Sequence, residues 1–303
     1  MLTGVINIYK EKGFTSHDVV AVVRKIFKTI GPLPKVGHIG TLDPQAQGVL
    51  PICVGRATKL AGFLTAEGKS YRAELILGMT TDTGDHTGTI LTTSSVVDFP
   101  DEYIEEVIKS FVGGYMQKPP MYSAVKINGK RLYEMARAGQ EAERRARRVE
   151  IYKIQPVTKY NRLNSTPEGP RPIIELEIDC GKGTYIRSLC EDIGERLGCG
   201  GCMGNLVRTK SGAFTVENAI YLSELEQAVK ENRWDFLVPV EQAFPAPIVN
   251  TSFKAALSGH PVQSEKLEEG GRCWLYYGET LIGLFCFNDG MLRPEVMIHE
   301  NHK

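Results

Sequence analysis

Apolar residues recur along this chain with two periods, one of strands and one of helices. Residues 5–9 (VINIY) form a short apolar run that predicts a strand. Val19, Val22, Val23, Ile26 and Ile30 then share one helical face, which predicts a helix opening at Ser16 as N-cap and stopped by Gly31-Pro32. A loop punctuated by glycine and proline runs from Lys35 to Gly48. It feeds the apolar run Val49–Val54, predicted as a buried strand, and Tyr71–Leu77 predicts another. Ile104, Val107, Ile108 and Phe111 stripe a second helix over about Pro100–Val112, ended by Gly113-Gly114. Ile173–Cys180 predicts a strand, Gly181 to Thr184 a turn, and Ile186, Leu189, Cys190, Ile193 and Leu197 one face of the next helix. Ser223 and Glu226 have the spacing of a capping box that opens a further helix.

Two stretches break this order. Residues 117–150 do not read as core, because they carry the Lys118-Pro119-Pro120 break and a run of charge. Pro245 to Pro247 marks a boundary, and beyond it Cys273–Tyr277, Leu281–Phe287 and Glu295–His299 read as short strands joined by turns such as Asn288-Asp289-Gly290. The pattern therefore divides the chain into 1–245, with an insertion at about 117–150, and a small β-rich unit at 246–303.

Composition narrows the class. A chain of 303 residues holds one large domain and a small one. No apolar run approaches the ~18 residues that span a bilayer, and the N-terminus lacks the parts of a signal peptide, so the expected location is the cytoplasm. Seven cysteines, an odd count in a chain this size, suit thiols better than a disulfide framework; a zinc site at Cys199-x-x-Cys202 lacks a second paired knuckle. A net charge of zero argues against a nonspecific nucleic-acid coat. It leaves room for a local basic surface, and from Lys126 to Lys153 there are nine Lys and Arg against four Glu, peaking in Arg144-Arg145-Ala146-Arg147-Arg148.

The densest polar signal is Gly37-His38-Ile39-Gly40-Thr41-Leu42-Asp43-Pro44, then Ala46, Gly48-Val49-Leu50-Pro51, Gly55 and Ala57-Thr58-Lys59. By chemistry alone this is a loop whose glycines allow close backbone approach and which holds one acid ahead of a proline. A lone Asp-Pro is more often a turn than a catalyst. Three more blocks follow in order: Lys69-Ser70-Tyr71-Arg72; Pro119-Pro120-Met121-Tyr122-Ser123-Ala124-Val125-Lys126, continuing in Gly129-Lys130-Arg131-Leu132-Tyr133-Glu134; and Gly183-Thr184-Tyr185-Ile186-Arg187. The set resembles the bacterial TruB-type tRNA pseudouridine synthases. Their signature GHxGTLDPxAxGxLPxxxGxATK is matched from Gly37 to Lys59, and the resemblance runs from about residue 2 to the C-terminus.

The resemblance implies an α+β fold, with a mixed, largely antiparallel central sheet flanked by helices and a small PUA-like C-terminal domain. It implies an isomerase that flips the T-loop uridine at position 55 of tRNA and converts it to pseudouridine without cofactor or metal. Asp43 would be the catalytic carboxylate, attacking the sugar C1′ or the base C6, or stabilising a detached base. Arg187 would pair with Asp43, since a guanidinium aims a carboxylate well. Tyr71 and Tyr185 would stack on the flipped base, Tyr71 also assisting proton removal from C5. His38 would contact RNA beside the extruded nucleotide, Leu206 would form an apolar wall, and Lys130 and Arg208 would bind substrate. The basic segment becomes a loop closing on the T arm, with Arg144 to Arg148 on phosphates. No protein partner, no membrane and a monomer are expected.

The sequence departs from the family pattern at Glu11, Ile39, Cys202 and Val207, which touches RNA contacts rather than the Asp43 set. Three other readings compete. An RNA-folding protein with a secondary pocket would not need the Asp43 chemistry. A guide-RNA-dependent synthase would be expected to carry a longer, more basic C-terminal module. A P-loop at Gly181-Lys182-Gly183-Thr184 lacks the Gly-x-x-x-x-Gly-Lys spacing.

Overall fold

The computed structural model describes residues 2–94, 99–127, 129–157, 163–166, 169–264 and 267–299. Nine strands of one large sheet position the site: Gly4–Lys10 (β1), Val36–His38 (β2), Gln47–Val54 (β3), Lys69–Leu77 (β4), Gly113–Gln117 (β5), Arg147–Pro156 (β6), Gly169–Cys180 (β7), Gly201–Ser211 (β8) and Leu237–Val238 (β9). Their order is β9-β1-β3-β8-β4-β7-β6-β5, with β2 on β3. Only the β3–β8 pair among these is parallel, so the sheet is mixed and largely antiparallel, as the resemblance implies.

The continuous apolar run of β3 has a physical reason. Leu50, Ile52 and Val54 point to a core shared with the helices Ser16–Lys28 (α1), Asp101–Lys109 (α2), Ile186–Leu197 (α3) and Leu222–Lys230 (α4). Val49 and Cys53, on the opposite face, join a second core with Trp274, Leu284 and Val296 of the C-terminal sheet. A strand covered on both sides loses the alternation of a half-exposed one.

That C-terminal sheet comprises Ile248–Thr251 (β10), Val262–Gln263 (β11), Arg272–Tyr277 (β12), Thr280–Asn288 (β13) and Met291–Met297 (β14), in the order β10-β12-β13-β14-β11. Asp289 and Gly290 close the β13–β14 hairpin with φ of 51° and 74°, the left-handed pair that a two-residue hairpin turn demands.

Local details correct the sequence reading. The N-cap of α1 is Thr15, whose backbone N–H donates to the Asp18 carboxylate at 2.8 Å, while Asp18 N–H donates to Thr15 Oγ1 at 3.1 Å. Ser16 is instead turned inward: its hydroxyl accepts from Leu42 N–H at 2.9 Å and donates to Leu42 C=O at 3.1 Å. The capping box expected at Ser223 and Glu226 lies two residues earlier, where Glu224 accepts from Tyr221 N–H. The helix expected over 100–112 is the shorter α2, and the loop expected over 35–48 contains β2. The insertion is not all surface either, for Gln117, Ser123 and Leu132 are buried.

Candidate active site

Asp43 sits in the loop between β2 and β3, and that loop is held by side chains reaching in from three directions. Lys10, at the end of β1, is fully buried, and its Nζ donates to the carbonyls of Glu11, Pro44 and Ala46 at 3.0, 3.2 and 2.6 Å. Arg208 of β8, also fully buried, donates through Nε to Val49 C=O and through Nη2 to Gly40 C=O, at 2.7 and 3.0 Å. Ser16 grips Leu42 from α1. The inward carbonyls of a loop have no strand or helix ladder, so their donors must come from side chains. Burial pulls the Lys10 ammonium down to about 8, with nearby Asp43 pulling the other way.

Backbone fit is as tight as the hydrogen bonding. Gly48 has φ of +100° in register with Arg208, and a Cβ there would lie 2.2 Å from Arg208 O. No other residue fits that approach.

Arg187, in the first turn of α3, is 5% exposed, and its Nε lies 2.9 Å from Asp43 Oδ2. The expected pairing is present, but through one nitrogen rather than as a two-pronged fork. The other two nitrogens donate to Thr83 C=O at 3.0 Å and Tyr122 C=O at 2.7 Å. A single guanidinium thus ties together the aspartate loop, the segment after β4 and the root of the insertion.

Tyr71 stands opposite Arg208 in the β4–β8 register, and Ala73 opposite Leu206, so Tyr71, Leu206 and Arg208 share one face. A bulge between Met203 and Leu206 re-aims this end of β8. Asn205 within it is pinned by N–H and Nδ2 donation to Glu74, each at 2.9 Å, and its Oδ1 accepts from Lys12 at 3.2 Å. Burial raises the Tyr71 phenol above its ordinary range, partly opposed by the Arg208 charge at its oxygen. His38 stacks edge-on against His17, with ring centroids 5.4 Å apart, and burial, His17 and Arg208 lower its pKa. Tyr185 is the N-cap residue of α3.

Two expected substrate contacts are placed differently from each other. Lys130 is exposed, as a phosphate contact requires. Arg208 has 1% of its surface accessible, and its guanidinium is committed to loop carbonyls; the structure gives it the work of shaping the loop. Within the basic cluster, Arg145, Arg147 and Arg148 are exposed, whereas Arg144 turns inward and donates to Pro119 C=O at 3.1 Å. All seven cysteines are buried, and among the described residues no three His, Cys, Asp or Glu groups converge as metal ligands would.

Sequence reasoning missed Lys10 and Gln117, and gave Ser16 a capping role in place of its grip on Leu42. For Lys10 a signal existed, since it continues the inward parity of Ile6 and Ile8 in β1.

Known proteins resemble this chain over most of its length. Residues 24–186 match the N-terminal domain of the TruB family pseudouridylate synthases, and residues 187–244 match the tRNA pseudouridylate synthase B C-terminal domain. The two matches meet at the start of α3, and both contribute strands to the large sheet. A tRNA pseudouridine synthase B of Listeria welshimeri is 49% identical over 80% of this chain and 77% of its own. One of Alkaliphilus oremlandii is 47% identical over 88% and 85%. Among solved structures, a Cbf5–Nop10–Gar1 complex matches with a TM-score of 0.69 at 28% identity, covering 98% of this chain and 84% of that one. An H/ACA ribonucleoprotein bound to a substrate RNA shares the fold, with a TM-score of 0.71 at 24% identity over 99% and 86%. The chain belongs to the TruB family of pseudouridylate synthases.

Proposed function

We propose that this chain is the tRNA pseudouridine-55 synthase of its source, an isomerase that extrudes the T-loop uridine and converts it to pseudouridine with Asp43 as the reacting carboxylate. The observation that carries the reading is the 2.9 Å contact between a half-exposed Asp43 and a buried Arg187, beside the face shared by Tyr71 and Leu206. The reaction breaks the C1′–N1 bond, turns the base and forms the C1′–C5 bond, so it needs one positioned carboxylate and a closed stacking pocket rather than a pair of acids.

In this reading Tyr71 and Tyr185 sandwich the base, Leu206 walls it, and His38 fills the space beside it. Tyr71 takes the C5 proton as a phenolate, having released its own proton to solvent before the base closes over it; burial makes that phenolate costly and the Arg208 charge at its oxygen offsets part of the cost. Lys130 and the exposed arginines of the insertion grip the T arm through phosphates. The chain works as a cytoplasmic monomer with no resident cofactor and no protein partner; no helix among the described residues is long and apolar enough to cross a membrane.

The test is to map pseudouridine in unmodified tRNA after incubation with the purified chain and no cofactor. Product at the T-loop uridine is expected from the wild type and none from Asp43→Asn, which still binds tRNA. Absence of product with the wild type, or near wild-type conversion by Asp43→Asn, would sink the assignment.

A further inference from the structure

Gln117 ends the edge strand β5 with only 2% of its surface exposed, and its side chain reaches across to the residue that opens α3. Its Oε1 accepts from Tyr185 N–H at 2.8 Å, and its Nε2 donates to Tyr185 C=O at 3.0 Å. The same Nε2 donates to the Tyr115 hydroxyl, which in turn is hydrogen-bonded to Asp192 one and a half turns into α3. Each atom of the amide is thereby assigned. The carboxylate of Asp192 accepts a hydrogen bond from the Tyr115 hydroxyl, so the Tyr115 oxygen is left to accept, and only the nitrogen end of Gln117 can serve it.

The local reason for this arrangement lies at the helix start. Tyr185 has extended φ and ψ of −103° and 113° and supplies no side-chain cap, since a phenol cannot curl back onto its own first turn. Gln117 grips both polar groups of that residue from outside the helix. Its neighbour Lys118 accepts from Ser188 Oγ at 2.9 Å, and Tyr122 accepts from Arg187. The root of the insertion is therefore fastened to the turn that carries both Tyr185 and Arg187.

We infer that Gln117 is a positioning residue for the reaction: its two-pronged hold on the Tyr185 backbone sets the Tyr185 ring against the flipped base and fixes the angle at which Arg187 meets Asp43. The inference rests on the assignment of Tyr185 to the base-stacking pocket. An ordinary structural hydrogen bond would be replaceable at this edge strand, where Ser188 already links the same two segments. A positioning role makes the two links unequal. Losing the Tyr185 grip displaces groups that must meet the base within a fraction of an ångström, and misplacement of that order lowers a rate by roughly tenfold to a hundredfold. Losing the Ser188 link leaves Tyr185 and Arg187 in place.

The experiment compares wild type, Gln117→Leu, Gln117→Glu and Ser188→Ala in single-turnover conversion of saturating unmodified tRNA, alongside tRNA affinity and thermal melting. Gln117→Leu keeps the volume and loses the grip. Its rate on bound tRNA is expected to fall at least tenfold with tRNA affinity within about threefold of wild type. Gln117→Glu keeps the acceptor for Tyr185 N–H and is expected to recover part of that rate. Ser188→Ala is expected to react within about threefold of wild type. The inference is overturned if Gln117→Leu reacts at the wild-type rate, if its loss appears wholly in tRNA affinity, or if Ser188→Ala is slowed as much. Should Gln117→Leu melt below the assay temperature, the folded Gln117→Glu variant decides alone, and a rate equal to wild type overturns the inference. A wild-type chain that makes no pseudouridine would instead defeat the functional assignment, so the two failures are separable.

Discussion

Arg187→Met should damage both stability and activity, whereas Asp43→Asn should damage activity almost alone. The asymmetry follows from burial. Arg187 is 5% exposed and fixes three partners, while the Asp43 side chain is 40% exposed and water can replace what it loses. Removing the guanidinium leaves the Thr83 and Tyr122 carbonyls without a charged donor, each worth about 1.5–3 kcal/mol. The ion pair itself adds under about 1 kcal/mol, because its exposed end is screened. Methionine returns some packing, so a net loss of about 3 kcal/mol is the working figure, equivalent to a melting shift of roughly 5 °C in a chain of this size. Asp43→Asn keeps the shape and should melt within about 2 °C of wild type. In single-turnover assays Asp43→Asn should give no product, and Arg187→Met should be slowed about a hundredfold as the carboxylate loses its aim. Thermal melts and rates on one set of preparations check both halves. If Arg187→Met melts with the wild type, the guanidinium is not the tie that the distances describe; if it also reacts at full rate, the Asp43 contact is incidental.

Three further outcomes follow from the same geometry. Lys10 titrates at about 8 in the folded chain against 10.5 ordinarily, so between those values the folded chain has released a proton that the unfolded chain keeps, and stability should rise with pH across that window; denaturant melts of wild type against Lys10→Met from pH 7 to 10.5 should show the slope only in the wild type. Arg145→Ala and Arg147→Ala should each weaken tRNA binding and flatten its salt dependence by about one counterion, whereas Arg144→Ala, whose side chain faces Pro119, should leave the salt slope unchanged; binding titrations from 50 to 200 mM salt distinguish them. Gly48→Ala should fail to accumulate as folded protein or melt far below wild type, since its Cβ would sit 2.2 Å from the Arg208 carbonyl, and soluble yield with circular dichroism measures this.

Much of the framework was legible because apolar periodicity reports directly on burial. The β3 run, the stripe of α3 and the Asp-Gly hairpin turn all stand where the pattern puts them. Helix starts were less legible, for a reason visible at Ser16. Adjacent Thr15 and Ser16 are equally good caps by chemistry, and only the tertiary partner Leu42, 26 residues away, decides which one turns inward. The pairing of Arg187 with Asp43 could be anticipated through resemblance, but its single-nitrogen geometry could not. The competing acceptors, Thr83 C=O and Tyr122 C=O, are backbone groups that every residue possesses and no sequence advertises. Gln117 was hidden in the same way, because both of its Tyr185 contacts are to backbone.

The buried charges around Asp43 show why such contacts concentrate there. Among the described residues the buried ionic side chains are Lys10, Lys69, Arg187 and Arg208, all cations, with no buried carboxylate to match them. Apart from Arg187, which meets the half-exposed Asp43, these charges are buried without a counterion, which is tolerated only where polar groups surround them, and here those groups are carbonyls. Lys69 donates to Thr65 and Glu67 at 3.0 and 2.9 Å, while Lys10 and Arg208 serve the aspartate loop and Arg187 its two flanks. An irregular loop whose inner side packs on the core needs donors that no neighbouring strand can provide, and long cationic side chains reach that far. The same solution surrounds the lone acid of the loop with fixed positive charge. A carboxylate that must attack carbon, or face a base carrying negative charge after the glycosidic bond breaks, gains from cations whose positions are set by the fold before RNA arrives. On the proposed assignment of Asp43, loop architecture and reaction electrostatics are one requirement, and a single aspartate serves where glycosidases use two acids.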